Sequence, residues 1–421
     1  MSDATPRSMG LTQGQPRGGS AIDGRPAALA TMAVVVVLCM TTWFSASAVI
    51  PQVRAEWHLG TNQSSLLTIA VQLGFVVGAL TSALLNLADV FPPRRVLWVS
   101  ALGAAAANAF IAAAGSVEVA LPLRFLTGAF LAGVYPVSLK IMSTWYRTGR
   151  GVALGIIVGA LTVGSAMPHL VNSLGGIDWR AVILVTSLLT AIGALLTIVA
   201  VREGPYPFAR ATFDPRQAGQ IFSNRGLRLA SLGYFGHMWE LYAMWAWFLA
   251  FFTDALVQDG LLGKQRAAAL ATFCVIGVGA LGCYLGGVLG DRWGRTRTTA
   301  TAMIISGSCA VVIGMFYGAP YQIVLAIGLV WGLTVVADSA QFSTIVSELA
   351  DQAYVGTALT LQLAIGFTLT VVTIWLVPVL RDGLGWRWTF AFLAPGPAVG
   401  ALAMLYLLRL PEHRLIAGGR G

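Results

Sequence analysis

The sequence has few charged residues. Asp, Glu, Lys and Arg make up 10% of its 421 residues, against about 25% in an ordinary soluble domain. Hydrophobic residues make up 57%, which excludes a soluble globular protein. The 48 Gly and 17 Pro follow no fixed period, and Phe, Trp and Tyr make up 10% of the chain. Fibrous and wholly disordered classes are therefore excluded as well.

Several kinds of chemical site are also missing. The four cysteines, Cys39, Cys274, Cys283 and Cys309, lie inside apolar runs without a CxxC spacing, so we predict no disulfide framework and no metal site. The sequence has no Walker-type phosphate loop, and we predict no bound cofactor. The net charge of +9 comes from residues scattered between apolar runs. Because they form no basic face, we predict no nucleic-acid partner.

The apolar residues come in runs of the length that a membrane helix needs. A bilayer core about 30 Å thick requires about 20 such residues per helix. Twelve runs fit, at residues 27–51, 63–88, 96–115, 119–143, 151–175, 180–201, 228–253, 267–290, 298–318, 321–345, 356–380 and 387–408. We therefore predict an all-α membrane protein with twelve transmembrane helices, called spans 1 to 12 in chain order.

The segments outside these runs divide the chain. We predict a disordered cytoplasmic tail over residues 1–26, a six-helix lobe over 27–201, a cytoplasmic linker over 202–227, a second six-helix lobe over 228–408 and a cytoplasmic tail over 409–421. The first 26 residues lack the apolar core of a secretory signal, so we expect that tail to be retained.

Lys and Arg are distributed unevenly between alternate connections. The set that contains both termini and the linker holds 19 of them, whereas the opposite set holds six. Cytoplasmic loops of membrane proteins are enriched in these residues. We therefore expect both ends of the chain in the cytoplasm.

The two halves of the chain carry matching features. An aspartate followed by arginines lies between spans 2 and 3, at Asp89, and again between spans 8 and 9, at Asp291, 202 residues later. A Trp-Arg pair opens span 6 at Trp179 and span 12 at Trp386, 207 residues later. These offsets predict a duplicated six-span unit, as in two-lobed transporters.

The loop between spans 8 and 9 carries a motif with its own physical logic. It reads Gly287-Val288-Leu289-Gly290-Asp291-Arg292-Trp293-Gly294-Arg295. Its small residues let helix ends approach closely, and its aspartate can accept hydrogen bonds from arginine. We expect such a loop to latch one end of a cavity. The first copy keeps Asp89, Arg94 and Arg95 but replaces both glycines.

This motif closely resembles the loop signature of the major facilitator superfamily, and Arg124 to Gly128 with Gly133 resemble that family's arginine-containing motif in span 4. With the twelve spans, the resemblance covers nearly the whole chain after residue 27. It implies alternating access between two six-helix bundles, with the loops at Asp89 and Asp291 stabilising one closed face. It also implies that spans 1, 4, 7 and 10 line the path, and that the protein lies in a bacterial inner membrane.

Span 8 contains a GxGxxG sequence from Gly277 to Gly282. No predicted strand precedes it and no acidic residue follows about 20 positions later, as dinucleotide binding requires. We interpret these glycines, and Gly74 and Gly78 of span 2, as helix-packing positions.

Few ionisable residues lie inside the predicted spans, where each costs at least about 2.5–3.5 kcal/mol at a helix centre. Arg124 of span 4 could bind a carboxylate or another small anion, or it could bond carbonyls of a neighbouring helix and steady the first lobe. Asp338 of span 10 could serve a proton or a substrate, or it could be structural. Glu240 lies near the middle of span 7, and His237 lies one turn earlier on the same face. That pair could carry a proton in each cycle, or it could form a structural hydrogen bond.

Span 7 is also unusually aromatic. Its aromatic residues are too dense to form only an interfacial belt, which would concentrate at the span ends; they are Tyr234, Trp239, Tyr242, Trp245 and Trp247. We predict that some of them face a cavity, and we assign Tyr234, Trp239 and Tyr242, with Trp43 of span 1, to contacts with a substrate.

Together these features predict a secondary active transporter and not an enzyme. We favour proton-coupled uptake of a small organic or inorganic anion by a symporter, with Arg124 neutralising the substrate and Glu240, His237 and Asp338 serving the proton. The alternative is a proton-driven exporter of hydrophobic or cationic compounds, which the same carboxylates and aromatics could hold. The expected partners are a small-molecule substrate, the proton and the lipid bilayer, and we expect a monomer.

Overall fold

The computed structural model describes residues 24–146, 149–174, 178–206, 216, 219, 223–260, 264–351 and 354–421, without the side chains of Thr61, Ala88 and Asp89. The predicted tail over residues 1–26 lies outside these residues except for its last three. Much of the predicted linker over 202–227 lies outside them too.

Twelve spans follow one another along the described residues. In the first lobe, span 1 consists of Arg25–Met40, Ser47–Val49 and Ile50–Trp57, span 2 of Thr61–Leu84, span 3 of Pro93–Ile111, span 4 of Val117–Leu131 and Tyr135–Ser143, span 5 of Arg150–Ser173 and span 6 of Trp179–Ala200. In the second lobe, span 7 consists of Arg225–Gln258, span 8 of Gln265–Gly277 and Gly279–Trp293, span 9 of Arg295–Met315, span 10 of Tyr321–Thr334 and Ser339–Leu349, span 11 of Val355–Leu384 and span 12 of Trp386–Thr389, Phe390–Leu393 and Pro395–Leu407.

Ten of the twelve spans in the described residues are each long and apolar enough to cross a membrane. The other two are span 1, whose first helix ends at Met40, and span 3, which begins beside Arg94 and Arg95. Large apolar side chains face outward along the bundle, as at Leu188 and Val199 of span 6. A lipid environment accounts for this exposure, and the prediction of an all-α membrane fold is confirmed.

The two lobes repeat one packing order. In the first lobe, span 1 packs on span 5, span 2 on span 4 and span 3 on span 6. In the second, span 7 packs on span 11, span 8 on span 10 and span 9 on span 12. The fold is therefore two six-helix bundles with the same internal arrangement.

The tryptophans that open spans 6 and 12 make matching hydrogen bonds. The indole nitrogen of Trp179 donates to Glu56 at the end of span 1 at 2.6 Å. The indole nitrogen of Trp386 donates to Asp254 near the end of span 7 at 2.7 Å. Each lobe thus ties its last span to its first at the same end, as expected for a duplicated unit.

The lobes meet along two seams, spans 5 and 8 on one side and spans 2 and 11 on the other. Glycine makes the first seam close. A Cβ atom at Gly155 would lie 2.7 Å from the carbonyl oxygen of Cys283, and one at Gly159 would lie 3.2 Å from that of Ala280. Larger residues would push spans 5 and 8 apart.

The predicted packing role holds for most of the glycines singled out from the sequence. A Cβ atom at Gly74 or Gly78 would overlap the backbone of span 4, and one at Gly279 or Gly282 would overlap span 10. Gly277 is different, because a Cβ atom there would meet nothing within 4 Å. For that glycine the packing interpretation is wrong.

Gly282 and Gly277 offer a matched test of close packing. Gly282→Ala would place its Cβ atom 1.8 Å from the carbonyl oxygen of Leu333, so spans 8 and 10 must separate, and we expect a lower apparent melting temperature. At Gly277 an added Cβ atom has free space, and alanine favours a helix over glycine by about 1 kcal/mol. We therefore expect Gly277→Ala not to lower the apparent melting temperature. Fluorescence-detected size exclusion after heating measures both. Equal melting temperatures for Gly282→Ala and the parent protein would contradict the close approach.

Candidate functional site

A cavity of about 400 Å³ lies between the two lobes. It opens at the end of the bundle where span 1 begins and span 12 ends, which we call the basic face. Asn86, Lys140 and Gly356 line it near that face, and Trp245 and Phe367 line its deep end. Its volume is within the range of about 300–1,000 Å³ that is typical of small-molecule pockets.

Six aromatic side chains, the aromatic cluster, close the deep end. They are Trp43 and Phe44 of span 1, Phe75 of span 2, Tyr242 and Trp245 of span 7 and Phe367 of span 11. The ring centroids of Phe75 and Phe367 are 4.5 Å apart, and those of Trp43 and Tyr242 are 5.9 Å apart. Because each of these pairs joins one lobe to the other, the cluster separates the cavity from the opposite face.

Three buried hydrogen-bond donors at the deep end have no acceptor among the described residues. The indole nitrogen of Trp245 and the side-chain amide nitrogen of Gln362 belong to residues that line the cavity. The indole nitrogen of Trp43 lies in the aromatic cluster. An indole N–H can only donate, and leaving a buried donor unpaired costs about 1–3 kcal/mol. A ligand with acceptor oxygens would offset this cost once neighbouring side chains move, because these donors are enclosed in the present arrangement.

Lys140 is the one charged side chain among the described residues that line the cavity, and no Asp or Glu is among them. It lies half-buried in the second helix of span 4. The polar side chains of Asn86, Ser339 and Thr360 also line the wall. The rest of the wall is mostly apolar, and its single positive charge favours an anion over a cation. Sequence reasoning missed Lys140 and Gln362, because only the fold brings spans 4 and 11 to one cavity.

Arg124 does not line the cavity. Its side chain is completely buried, and its guanidinium donates to the carbonyl oxygens of Thr42, Trp43 and Leu67 and to the side-chain oxygens of Ser45 and Asn108. All of these acceptors belong to the first lobe. Thr42 and Trp43 lie between the helices of span 1, where carbonyls lack helical partners. Of the two interpretations made from the sequence, this geometry fits a residue that steadies the first lobe.

Glu240 is also enclosed by protein. It is 1% exposed, and its carboxylate accepts hydrogen bonds from the indole nitrogen of Trp331 at 2.7 Å and the hydroxyl of Ser306 at 2.8 Å. Those donors belong to spans 10 and 9, on the side of span 7 away from the first lobe. The structural alternative considered for this pair, a hydrogen bond between Glu240 and His237, is wrong, because the carboxylate oxygens of Glu240 bond Trp331 and Ser306 instead.

His237 instead contacts Asp338 across the interface of spans 7 and 10. Its Nδ1 atom lies 2.8 Å from a carboxylate oxygen, although the approach is too bent for a regular hydrogen bond. Both side chains are buried, and Nε2 of His237 has no partner among the described residues. The next residues along the chain, Met238 and Ser339, line the cavity. The pair therefore lies directly behind the cavity wall.

The predicted aromatic contacts separate into two groups. Tyr234 and Tyr242 line the cavity, and Trp43 belongs to the aromatic cluster. Trp239 lies elsewhere, because its indole nitrogen donates to the carbonyl oxygen of Phe392 in span 12 at 3.3 Å. The structure thus brings together three of the four aromatic residues singled out as substrate contacts.

The loop between spans 8 and 9, from Gly287 to Arg295, is called the second gating loop and is held together by Arg295. Its guanidinium contacts Glu348 of span 10 at 3.0 Å and Asp291 at 3.2 Å. Gly294 adopts a φ of 106°, which side chains disfavour. A Cβ atom at Gly151 of span 5 would lie 2.5 Å from an oxygen of Asp291, and Gly287 packs against the same turn of span 5. This loop therefore packs closely against span 5 at the basic face.

The loop between spans 2 and 3, which contains Asp89, Arg94 and Arg95, is called the first gating loop and is arranged differently. The guanidinium of Arg94 donates to the carbonyl oxygens of Thr197, at 3.2 Å, and Ile198. These bonds tie span 3 to span 6 within one lobe. The side chain of Asp89 lies outside the described residues, and the described hydrogen bonds of Arg95 come from its backbone. Arg292, of the second loop, lines a separate surface cavity.

The chain matches the Major Facilitator Superfamily at residues 32–262 and 256–420. These ranges cover both lobes.

Three relatives are named as transporters or pumps. The chain is 25% identical over 302 residues to a probable sulfoacetate transporter of Cupriavidus necator, covering 66% of this chain and 69% of the relative. It is 25% identical over 337 residues to a gallate transporter of Pseudomonas putida, covering 70% and 73%. A shorter match, 28% identical over 196 residues, is to a multidrug efflux pump of Mycolicibacterium smegmatis and covers 45% and 38%. The protein is therefore a transporter and not an enzyme.

Arg124 can be tested as a structural residue. Arg124→Gln removes donors from three buried carbonyls, and each unpaired group costs about 1–3 kcal/mol. We expect a lower melting temperature in detergent and unchanged anion affinity of the protein that remains folded. Arg266→Gln, on an exposed arginine, is the control and should change stability by less than about 0.5 kcal/mol. A stable Arg124→Gln variant that has lost anion binding would return Arg124 to the substrate site.

Proposed function

The chain belongs to the major facilitator superfamily, and we propose that it takes up a small organic anion together with protons. The observation that carries this proposal is the cavity wall. Lys140 is its one charged side chain in the described residues, and Trp245 and Gln362 add donors without acceptors. A carboxylate or sulfonate supplies the matching acceptors. The names of two relatives, which specify sulfoacetate and gallate, are consistent with such a substrate.

The proposed mechanism is alternating access. In the present arrangement the cavity is open at the basic face, which we assign to the cytoplasm of a bacterial inner membrane. The aromatic cluster closes the other side. Uptake requires the lobes to rock so that Trp43 and Phe75 separate from Tyr242 and Phe367. The anion then reaches Lys140 from outside. It leaves to the cytoplasm when the cavity opens again at the basic face.

We assign the proton to His237 and Asp338. Their contact is buried, and the imidazole keeps one nitrogen without a partner in the described residues. A proton shared between an imidazole and a carboxylate changes the charge directly behind Met238 and Ser339, which line the cavity. Proton binding and anion binding then favour each other electrostatically. Glu240, with two donors already bound, is the second candidate.

Export of cations is the weaker alternative. The shorter match to a multidrug efflux pump favours it, as does the aromatic cluster. A cation in the cavity needs a carboxylate or an open aromatic face. The described lining residues include aromatic side chains but no carboxylate, and Lys140 would repel a cation, so we favour the anion. We expect the protein to work as a monomer, because each chain contains both lobes.

Lys140→Gln tests the anion site. A hydrogen bond to a charged group contributes about 1.5–3 kcal/mol, so we expect roughly a 10- to 100-fold increase in Kd for the best anion in a panel that includes sulfoacetate and gallate. Isothermal titration of the purified protein measures it. Lys264→Gln, at the only other lysine of the chain, is exposed outside the cavity and should bind like the parent protein. Equal affinities for the two variants would exclude Lys140 from the site.

Asp338→Asn tests the assignment of the proton to His237 and Asp338. We expect the variant in proteoliposomes to lose accumulation driven by a pH gradient but to keep counterflow of the same anion, because counterflow needs no net proton movement. Glu240→Gln, measured alongside, should retain gradient-driven accumulation. The assignment fails if Asp338→Asn still accumulates the anion, and loss in Glu240→Gln alone would move the proton site to Glu240.

A further inference from the structure

A second cavity, of about 340 Å³, lies on the basic face. Arg292 and Trp293 line it from the end of span 8, Arg297 from the start of span 9 and Leu408 from the end of span 12. The C-terminal segment adds His413 and Arg420 to its wall. It shares no lining residue with the central cavity. We call it the arginine pocket.

The arginine pocket contains three guanidinium groups, and no Asp or Glu is among the described residues that line it. Among the described residues, no carboxylate is in ion-pair contact with Arg292, Arg297 or Arg420. The nearest acids of the gating loop, Asp291 and Glu348, are already bound by Arg295. Three guanidinium groups around one hollow repel each other unless an anion lies between them. Their planar forks match the oxygens of a phosphate group.

The position of the pocket indicates where such a phosphate group comes from. Trp293 is 45% exposed, and tryptophan is enriched at the level of lipid headgroups. Leu408 directly follows the last helix of span 12, so the pocket lies where the apolar spans end. Basic pockets at this depth on the cytoplasmic side of membrane proteins suit anionic headgroups. We propose that the arginine pocket binds the phosphate of an anionic phospholipid.

Binding there acts on the second gating loop. Arg420 donates to the backbone carbonyl of Asp291, and the backbone nitrogen of Thr296 donates to the carbonyl oxygen of Gly421. The backbone nitrogen of Ala417 donates to Glu348, which also binds Arg295. The C-terminal segment thus lies directly on the loop that packs against span 5. A headgroup shared by Arg292 and Arg420 fastens that segment to the loop.

The test uses native mass spectrometry of the full chain in detergent with added phosphatidylglycerol, phosphatidylcholine or inorganic phosphate. We expect the parent protein to retain phosphatidylglycerol at least tenfold more tightly than the triple variant Arg292→Gln, Arg297→Gln, Arg420→Gln. The control removes the same charge from the same face outside the pocket, with Arg202→Gln, Arg225→Gln and Arg409→Gln, and should retain the lipid. The corresponding triple lysine variant keeps the charge and should recover most of the binding.

Three results would overturn the proposal. Equal retention of phosphatidylglycerol by the two glutamine variants would exclude the pocket. Equal retention of phosphatidylcholine by the parent protein would exclude selection for an anionic lipid. Full displacement of the lipid by millimolar inorganic phosphate would identify soluble phosphate as the ligand. If the triple glutamine variant does not fold, Arg297→Gln alone against Arg409→Gln decides between the same outcomes.

Discussion

A polar group inside a bilayer has no bulk water to bind, so it needs a partner in the protein or in whatever the protein carries. Two groups of buried side chains in the described residues illustrate this rule. Arg124 and Glu240 have all their partners within one lobe, and each holds helices together. Trp245 and Gln362 keep donors unpaired where they line the cavity. The second kind is expected at a site that a substrate completes, because the substrate then supplies the missing acceptors.

The two seams between the lobes are formed by different groups. Spans 5 and 8 touch through glycine backbones, and at the basic face Asp291 lies against Gly151 of span 5 while Arg295 holds Asp291 in place from within the second lobe. Spans 2 and 11 meet at Phe75 and Phe367. Between these rings and the basic face, both spans line the open cavity. The first gating loop has lost both glycines of the motif. The cavity thus opens beside the seam whose loop departs from the motif.

The sequence was sufficient to predict the spans, because a membrane helix must be apolar over its whole length. Span 6, predicted at residues 180–201, is the helix Trp179–Ala200. The partners of the ionisable residues were harder to predict from the sequence, because they depend on which spans pack together. Spacing within span 7 paired His237 with Glu240 on one helix face, whereas packing of spans 7 and 10 places His237 on Asp338. Lys140 and Gln362 carried no local signal, since only the assembled cavity gives them a common neighbour.

Broken helices connect the fold to the proposed transport cycle. Spans 1, 4 and 10 are each interrupted at mid-depth, whereas span 7 is one helix of 34 residues. A break frees backbone groups that need new partners. In span 1 they bind the permanently charged Arg124 of span 4. In span 10, the counterpart of span 4 in the second lobe, the break instead places Asp338 against the titratable His237. The first lobe is therefore fixed by a permanently charged side chain, and in the proposed mechanism the second lobe carries the pair that binds the proton.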